Sequence, residues 1–112
     1  MAVKKKIQGD VGVLQVSGKL MGGDESKEVH EEVKSLLDDG FKKIVIDVSK
    51  VKWLNSSGLG MLISCLTSVN SAEAKLKIAG ATEKIKSVFM ITKLITVFDN
   101  YETADQAVAA FK

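Results

Sequence analysis

The chain has 112 residues and no proline, and its 16 basic residues, all lysine, face 14 acidic ones for a net charge of +2. That length suits a single domain, and Leu, Val, Ile and Phe, at about 31% of the sequence, supply enough apolar side chains for a compact core. A near-neutral chain without arginine lacks the basic footprint and guanidinium forks of nucleic-acid recognition, and one cysteine (Cys65) with one histidine (His30) builds neither a disulfide nor a zinc cluster.

Residues 1–112 contain no repeat, linker or low-complexity tract and are read as one domain. The N-terminal MAVKKKIQGD is charged but is followed by no apolar run, so it is not a secretory signal, and a cytoplasmic chain is expected. Lys5 to Gln8 and Val11 to Ser17 flank Gly9-Asp10, which predicts a β-hairpin. Gly22-Gly23 breaks the strand pattern. Asp24 is then placed as the cap of a helix in which Val29, Val33, Leu36 and Leu37 form the apolar stripe, ending near Gly40. His30, about 100° around that helix from Val29, is expected on the solvated side.

Phe41 to Val48, with Ile44-Val45-Ile46 at its centre, reads as a strand covered on both faces, with Ser49 onward as a separate connector. In a second helix, Leu59, Leu62, Ile63, Leu66 and Val69 make a stripe that points Met61 outward and leaves Cys65 at its flank as a small packing residue. Trp53 to Ala72 is charge-free and close to the ~20 residues that span a bilayer, but polar residues from Asn55 to Ser71 interrupt it, so membrane insertion is not expected. Leu76 to Ala79 is the next strand, and Thr82 caps a third helix carrying Ile85, Val88 and Phe89. Leu94 to Phe98 is the last strand. Thr103 and Gln106 form a capping box for a final helix with Ala107, Val108 and Phe111. The order ββαβαβαβα predicts an α/β domain: a mixed, mostly parallel sheet with an N-terminal hairpin and about four helices.

The segment Asn55-Ser56-Ser57-Gly58-Leu59-Gly60, where a strand-like stretch passes into the second helix, is the candidate site. Two readings stay open. Asn and Ser can simply cap the helix, or a hydroxyl at a helix N-terminus can carry a phosphate, which first-turn amides and the positive dipole end both favour. Catalytic alternatives fail on spacing. Neither serine sits in G-x-S-x-G, Ile63 stands where G-x-G-x-x-G needs its third glycine, and the only Gly-Lys pair, Gly18-Lys19, is followed by Leu20. No cofactor is expected.

Ile44-Val45-Ile46-Asp47-Val48-Ser49-Lys50-Val51, leading into Trp53-Leu54-Asn55-Ser56-Ser57-Gly58-Leu59-Gly60, resembles the signature of STAS domains, specifically bacterial anti-sigma factor antagonists. The resemblance extends over the whole chain, with residues 44–60 as its specific part. It implies a STAS-like fold and a non-enzymatic cytoplasmic switch. By that resemblance Ser56, with Ser57 in reserve, is the serine phosphorylated by an anti-sigma factor serine kinase. The dephosphorylated form binds that kinase and frees the sigma factor, and a serine phosphatase restores it. Asn55, Ser56, Ser57, Gly58, Met61 and Asp24 are the expected partner-binding residues of a monomer or weak dimer. The family has Asp where this chain has Asn55, and a Leu-Asp after the second strand where this chain reads Leu20-Met21-Gly22-Gly23-Asp24. The alternative within the fold is a non-switching scaffold or accessory subunit of a stress-sensing or lipid-transport assembly.

Overall fold

A computed structural model describes residues 3–91 and 99–111. In chain order the described elements are β1 (Val3–Gln8), β2 (Val11–Leu20), α1 (Asp24–Asp38), β3 (Lys43–Leu54), α2 (Ser56–Ser71), β4 (Lys75–Ala79), α3 (Glu83–Ile91), β5 (Asp99–Tyr101) and α4 (Ala104–Ala109). The sheet runs β1-β2-β3-β4-β5, with β1 antiparallel to β2 and each later neighbour parallel. This is the expected α/β architecture, because a short turn can join only antiparallel neighbours while each parallel step needs a helical crossover.

Gly9, at φ 63°, makes the turn that sets Gln8 opposite Val11. The Asp10 carboxylate accepts from Lys43 Nζ at 2.8 Å, which fastens that turn to the start of β3. The larger core gathers Leu14, Ile44, Ile46 and Ile78 of the sheet under Val29, Val33 and Leu36 of α1 and Leu62 and Val69 of α2, with Phe89 of α3 in the same cluster. A smaller one joins Val11, Val13, Val45 and Ala79 to Ala107 and Val108 of α4. The Ile44-Val45-Ile46 run is thus buried alternately into two cores, which explains why it is apolar without interruption. Thr82 and Thr103 cap as expected, accepting from Ile85 N–H at 3.4 Å and Gln106 N–H at 3.1 Å. No described helix is long and apolar enough to cross a membrane.

Several boundaries differ from the sequence expectation. β3 begins at Lys43 rather than Phe41 and continues through Ser49 to Leu54 without a separate connector. β2 likewise continues past Ser17 to Leu20. Pairing explains both: Ser17 lies opposite Lys50, Gly18 opposite Val51 and Leu20 opposite Leu54, with register shifts absorbed around Ser17 and Lys19. Ladder hydrogen bonds carry polar residues that alternation alone cannot claim. Asp24 is not a cap: it is the first helical residue of α1, the N-cap is Gly23 without a side-chain bond, and the Gly22 N–H donates instead to Ser26 Oγ at 3.1 Å. The expected strand Leu94 to Phe98 lies outside the described residues, and the described last strand is Asp99–Tyr101.

Candidate functional site

The site forms where two parallel strands end side by side and one of them turns into a helix. Leu54, the last residue of β3, is buried, and Asn55 follows in extended conformation at φ −108° as the N-cap of α2. Every polar group of Asn55 is in use. Its Oδ1 accepts from Gly58 N–H at 2.9 Å, and its carbonyl accepts from Leu59 N–H at 2.9 Å. Its backbone N–H donates to the Leu20 carbonyl at 3.2 Å and its Nδ2 donates to the Met21 carbonyl at 3.2 Å. One side chain therefore caps α2 and clasps it to the end of β2.

Two glycines permit this close approach. At Gly58 a Cβ would fall on the Leu20 carbonyl. Gly22, at φ 89°, lies so close to Ser57 that a Cβ there would collide with the serine's own Cβ. The loop from Met21 to Asp24 is thereby laid beside the first turn of α2, which brings the Asp24 end of α1 toward the Asn55-Ser56-Ser57-Gly58 segment. Asp24 itself is exposed.

Ser56 and Ser57, the first two residues of α2, are both exposed, and the first turn of this 16-residue helix contains no acidic side chain. An anion on either hydroxyl would meet first-turn amides and the positive end of the helix dipole, with no carboxylate on that turn to repel it.

Met61 does not point outward. It is 9% exposed, sits in the core, and its Sδ lies 3.5 Å from Cys65 Sγ. The buried face of α2 is Gly58, Leu59, Met61, Leu62, Cys65 and Val69, whereas Ile63 is 38% exposed. Taking ~100° per residue, the helix is turned by about 60° from the position that a Leu59, Leu62, Ile63, Leu66, Val69 stripe requires. Apolar residues lie nearly all round α2, so its own periodicity leaves the rotation open. Contact with the sheet decides it.

The rotation places Ile63 two turns beyond Ser56 on the same line, since seven residues close to within about 20° of full turns. Met21 at 45% and Trp53 at 43% exposure flank the same helix end, Met21 through its carbonyl bond to Asn55 and Trp53 as the residue two before it in sequence. Three of the four large apolar side chains exposed among the described residues thus belong to segments bordering Ser56. Sequence reasoning missed Met21 and Ile63 as surface residues. The available signal for Ile63 was its seven-residue spacing from Ser56.

Two further expectations concern titratable groups. His30 is not simply solvated: it is half-buried, its Nε2 lies 3.2 Å from Ser68 Oγ across the α1–α2 contact, and burial, then the nearby Lys34 charge, lower its pKa. Cys65 is buried, which pushes its thiol up to about 12, as suits a packing residue rather than a nucleophile. Among the described residues no group of three or more His, Cys, Asp or Glu is placed to hold a metal ion.

Residues 2–107 match the STAS domain family. The anti-sigma-B factor antagonist of Staphylococcus aureus is 30% identical over 67 residues, which is 60% of this chain and 62% of that protein, so the match spans less than two thirds of the relative's length. A crystallised protein from Thermotoga maritima shares 25% identity, with 96% of this chain and 92% of that one superimposed at a TM-score of 0.86. An anti-sigma factor antagonist from Mycobacterium paratuberculosis has the same fold at 23% identity, with coverage of 96% and 91% and a TM-score of 0.82. So does the phosphorylated form of the Bacillus cell fate determinant SpoIIAA, at 13% identity, coverage of 99% and 100%, and a TM-score of 0.76.

Proposed function

This chain belongs to the STAS domain family, and from that footing we propose that it is an anti-sigma factor antagonist whose binding is gated by phosphorylation of Ser56. In its dephosphorylated form it binds an anti-sigma factor that is also a serine kinase, and the sigma factor is released. A serine phosphatase returns the modified form to the binding state. The chain acts in the cytoplasm as substrate and ligand of these enzymes and is not itself an enzyme.

The observation that carries this reading is the exposed Ser56 hydroxyl at the start of α2, on a first turn free of acidic side chains. The partner surface is the exposed line of α2 through Ser56 and Ile63, flanked by Ser57, Met21 and Trp53. Asn55 and Gly58 hold its geometry from beneath, and Asp24 stands at the adjoining start of α1. A phosphate adds about −1.5 to −2 charges to a surface that the partner must desolvate. An uncompensated charge buried in an interface costs ~3 to 5 kcal/mol, or roughly 10²- to 10³-fold in affinity.

The test is a binding titration of the purified chain against the anti-sigma factor kinase encoded in the same genome, paired with phosphosite mapping after incubation with ATP. Ser56→Ala binds like the unmodified chain and takes no phosphate, whereas Ser56→Asp binds far more weakly. Phosphate that still enters Ser56→Ala but is lost from Ser57→Ala moves the acceptor to Ser57. Equal binding of Ser56→Asp and Ser56→Ala defeats the gating.

A further inference from the structure

The far ends of β2 and β3 and the start of α3 line an open groove of about 780 Å³. Four of its lining residues are lysines, Lys19, Lys50, Lys52 and Lys84, all exposed, and none of the lining residues is acidic. Among the described residues none of these four ammonium groups has a carboxylate within ion-pair distance. The pairs formed elsewhere are Lys43 with Asp10 and Lys86 with Glu83. A quarter of the lysines of a chain with net charge +2 therefore face one concavity with no ion pair among the described residues, and a cleft lined mainly by one sign focuses its field on whatever enters.

The arrangement also says what enters. Lys50 and Lys52 are two residues apart on β3, so their backbone positions are ~6.6 Å apart, the spacing at which an extended peptide presents every second side chain. Lys19 comes from the neighbouring strand and Lys84 from α3, so the charges are distributed along the groove. That suits several carboxylates carried on a chain better than one compact phosphate. At the rim, Lys84 Nζ lies 4.2 Å from the centre of the exposed Trp53 ring, which joins the groove to the apolar surface beside Asn55.

We propose that this groove docks an extended acidic segment of a protein partner, with Asp or Glu at alternating positions paired to Lys50 and Lys52 and flanking acids to Lys19 and Lys84. This docking is separate from the gating at Ser56. It requires no modification, and it steers the partner toward the Trp53 side of the switch.

The probe is a fluorescent peptide of alternating Glu and Ser, read by anisotropy at low ionic strength. It binds the wild-type chain, an alternating Gln and Ser peptide does not, and added salt weakens the binding. An exposed ion pair contributes up to about fivefold, and charge reversal adds repulsion to the loss of two such pairs, so Lys50→Glu/Lys52→Glu weakens binding about tenfold or more. Lys19→Gln/Lys84→Gln gives a smaller loss in the same direction without charge reversal. Lys4→Glu/Lys6→Glu, the same charge change at exposed positions of β1, leaves the affinity nearly unchanged. Ser56→Asp retains peptide binding, so failure of the gating and failure of the groove are read separately. Equal losses in the β1 and groove variants reduce the effect to bulk charge and overturn the proposal. Displacement by equimolar inorganic phosphate, or tighter binding of single-stranded DNA than of the peptide, overturns it as well.

Discussion

Replacing Asn55 by Asp separates the two tasks of its side chain. The Oδ1 cap on Gly58 N–H at 2.9 Å survives, because Asn and Asp cap alike, and the added charge at the helix N-terminus contributes ~0.3 to 1 kcal/mol. The Nδ2 bond to the Met21 carbonyl at 3.2 Å does not survive, and a carboxylate oxygen then faces a carbonyl oxygen. Loss of that bond costs ~0.5 to 1.5 kcal/mol, with the repulsion in addition. The net is a loss of about 0.5 to 1 kcal/mol. Asn55→Ala loses cap and clasp together, about 2 kcal/mol. In thermal unfolding at pH 7 the order is therefore wild type, Asn55→Asp, Asn55→Ala, with melting temperatures separated by about 2 to 5 °C at the first step and about 4 to 8 °C at the second. An Asn55→Asp chain as stable as wild type would show that the link to Met21 contributes nothing. One less stable than Asn55→Ala would show that the cap is misplaced.

Ser56→Asp puts a charge on the exposed first residue of α2 and holds or slightly raises the melting temperature, so any loss of partner binding is not a loss of fold; calorimetry checks this. Gly58→Ala gains helix propensity of ~1 kcal/mol but drives a Cβ into the Leu20 carbonyl, and the net is destabilising by at least ~1 kcal/mol in chemical denaturation. Met61→Lys buries an ammonium group in the core and costs ~3 kcal/mol or more, whereas Ile63→Lys leaves the melting temperature nearly unchanged and weakens partner binding by at least ~1.4 kcal/mol, tenfold. The reverse result would return α2 to the rotation its apolar pattern suggests. For His30 the folded pKa is below the unfolded ~6.5, so the unfolded chain binds the extra proton first. Its contribution is complete above pH ~6.5 and is lost as pH falls through the lowered folded value, and His30→Gln flattens the stability profile there, which denaturation at a series of pH values measures.

The parts of the molecule that depend on neighbours in sequence were legible without coordinates. The turn at Gly9-Asp10 and the caps Asn55, Thr82 and Thr103 each rest on hydrogen bonds or dihedrals spanning two or three residues, and the alternation of strands with crossover helices left one class of sheet. The position of Ser56 at the start of α2 is of the same local kind. What tertiary structure alone decided involves partners distant in sequence. Ser49 to Leu54 continues β3 without a break because β2 pairs with it, and Asn55 is a clasp as well as a cap because the Met21 carbonyl arrives 34 residues away along the chain. The rotation of α2 is the clearest instance. Leu59, Met61, Leu62, Ile63, Cys65 and Leu66 cover so much of its circumference that several faces satisfy the pattern, and burial against the sheet and α1 selects Met61 and leaves Ile63 beside Ser56. Likewise the four groove lysines are scattered among ordinary charged positions in the sequence. Only the ends of two strands and the start of α3 bring them to one wall, because a like-charge cluster of this kind has no local pattern to reveal it.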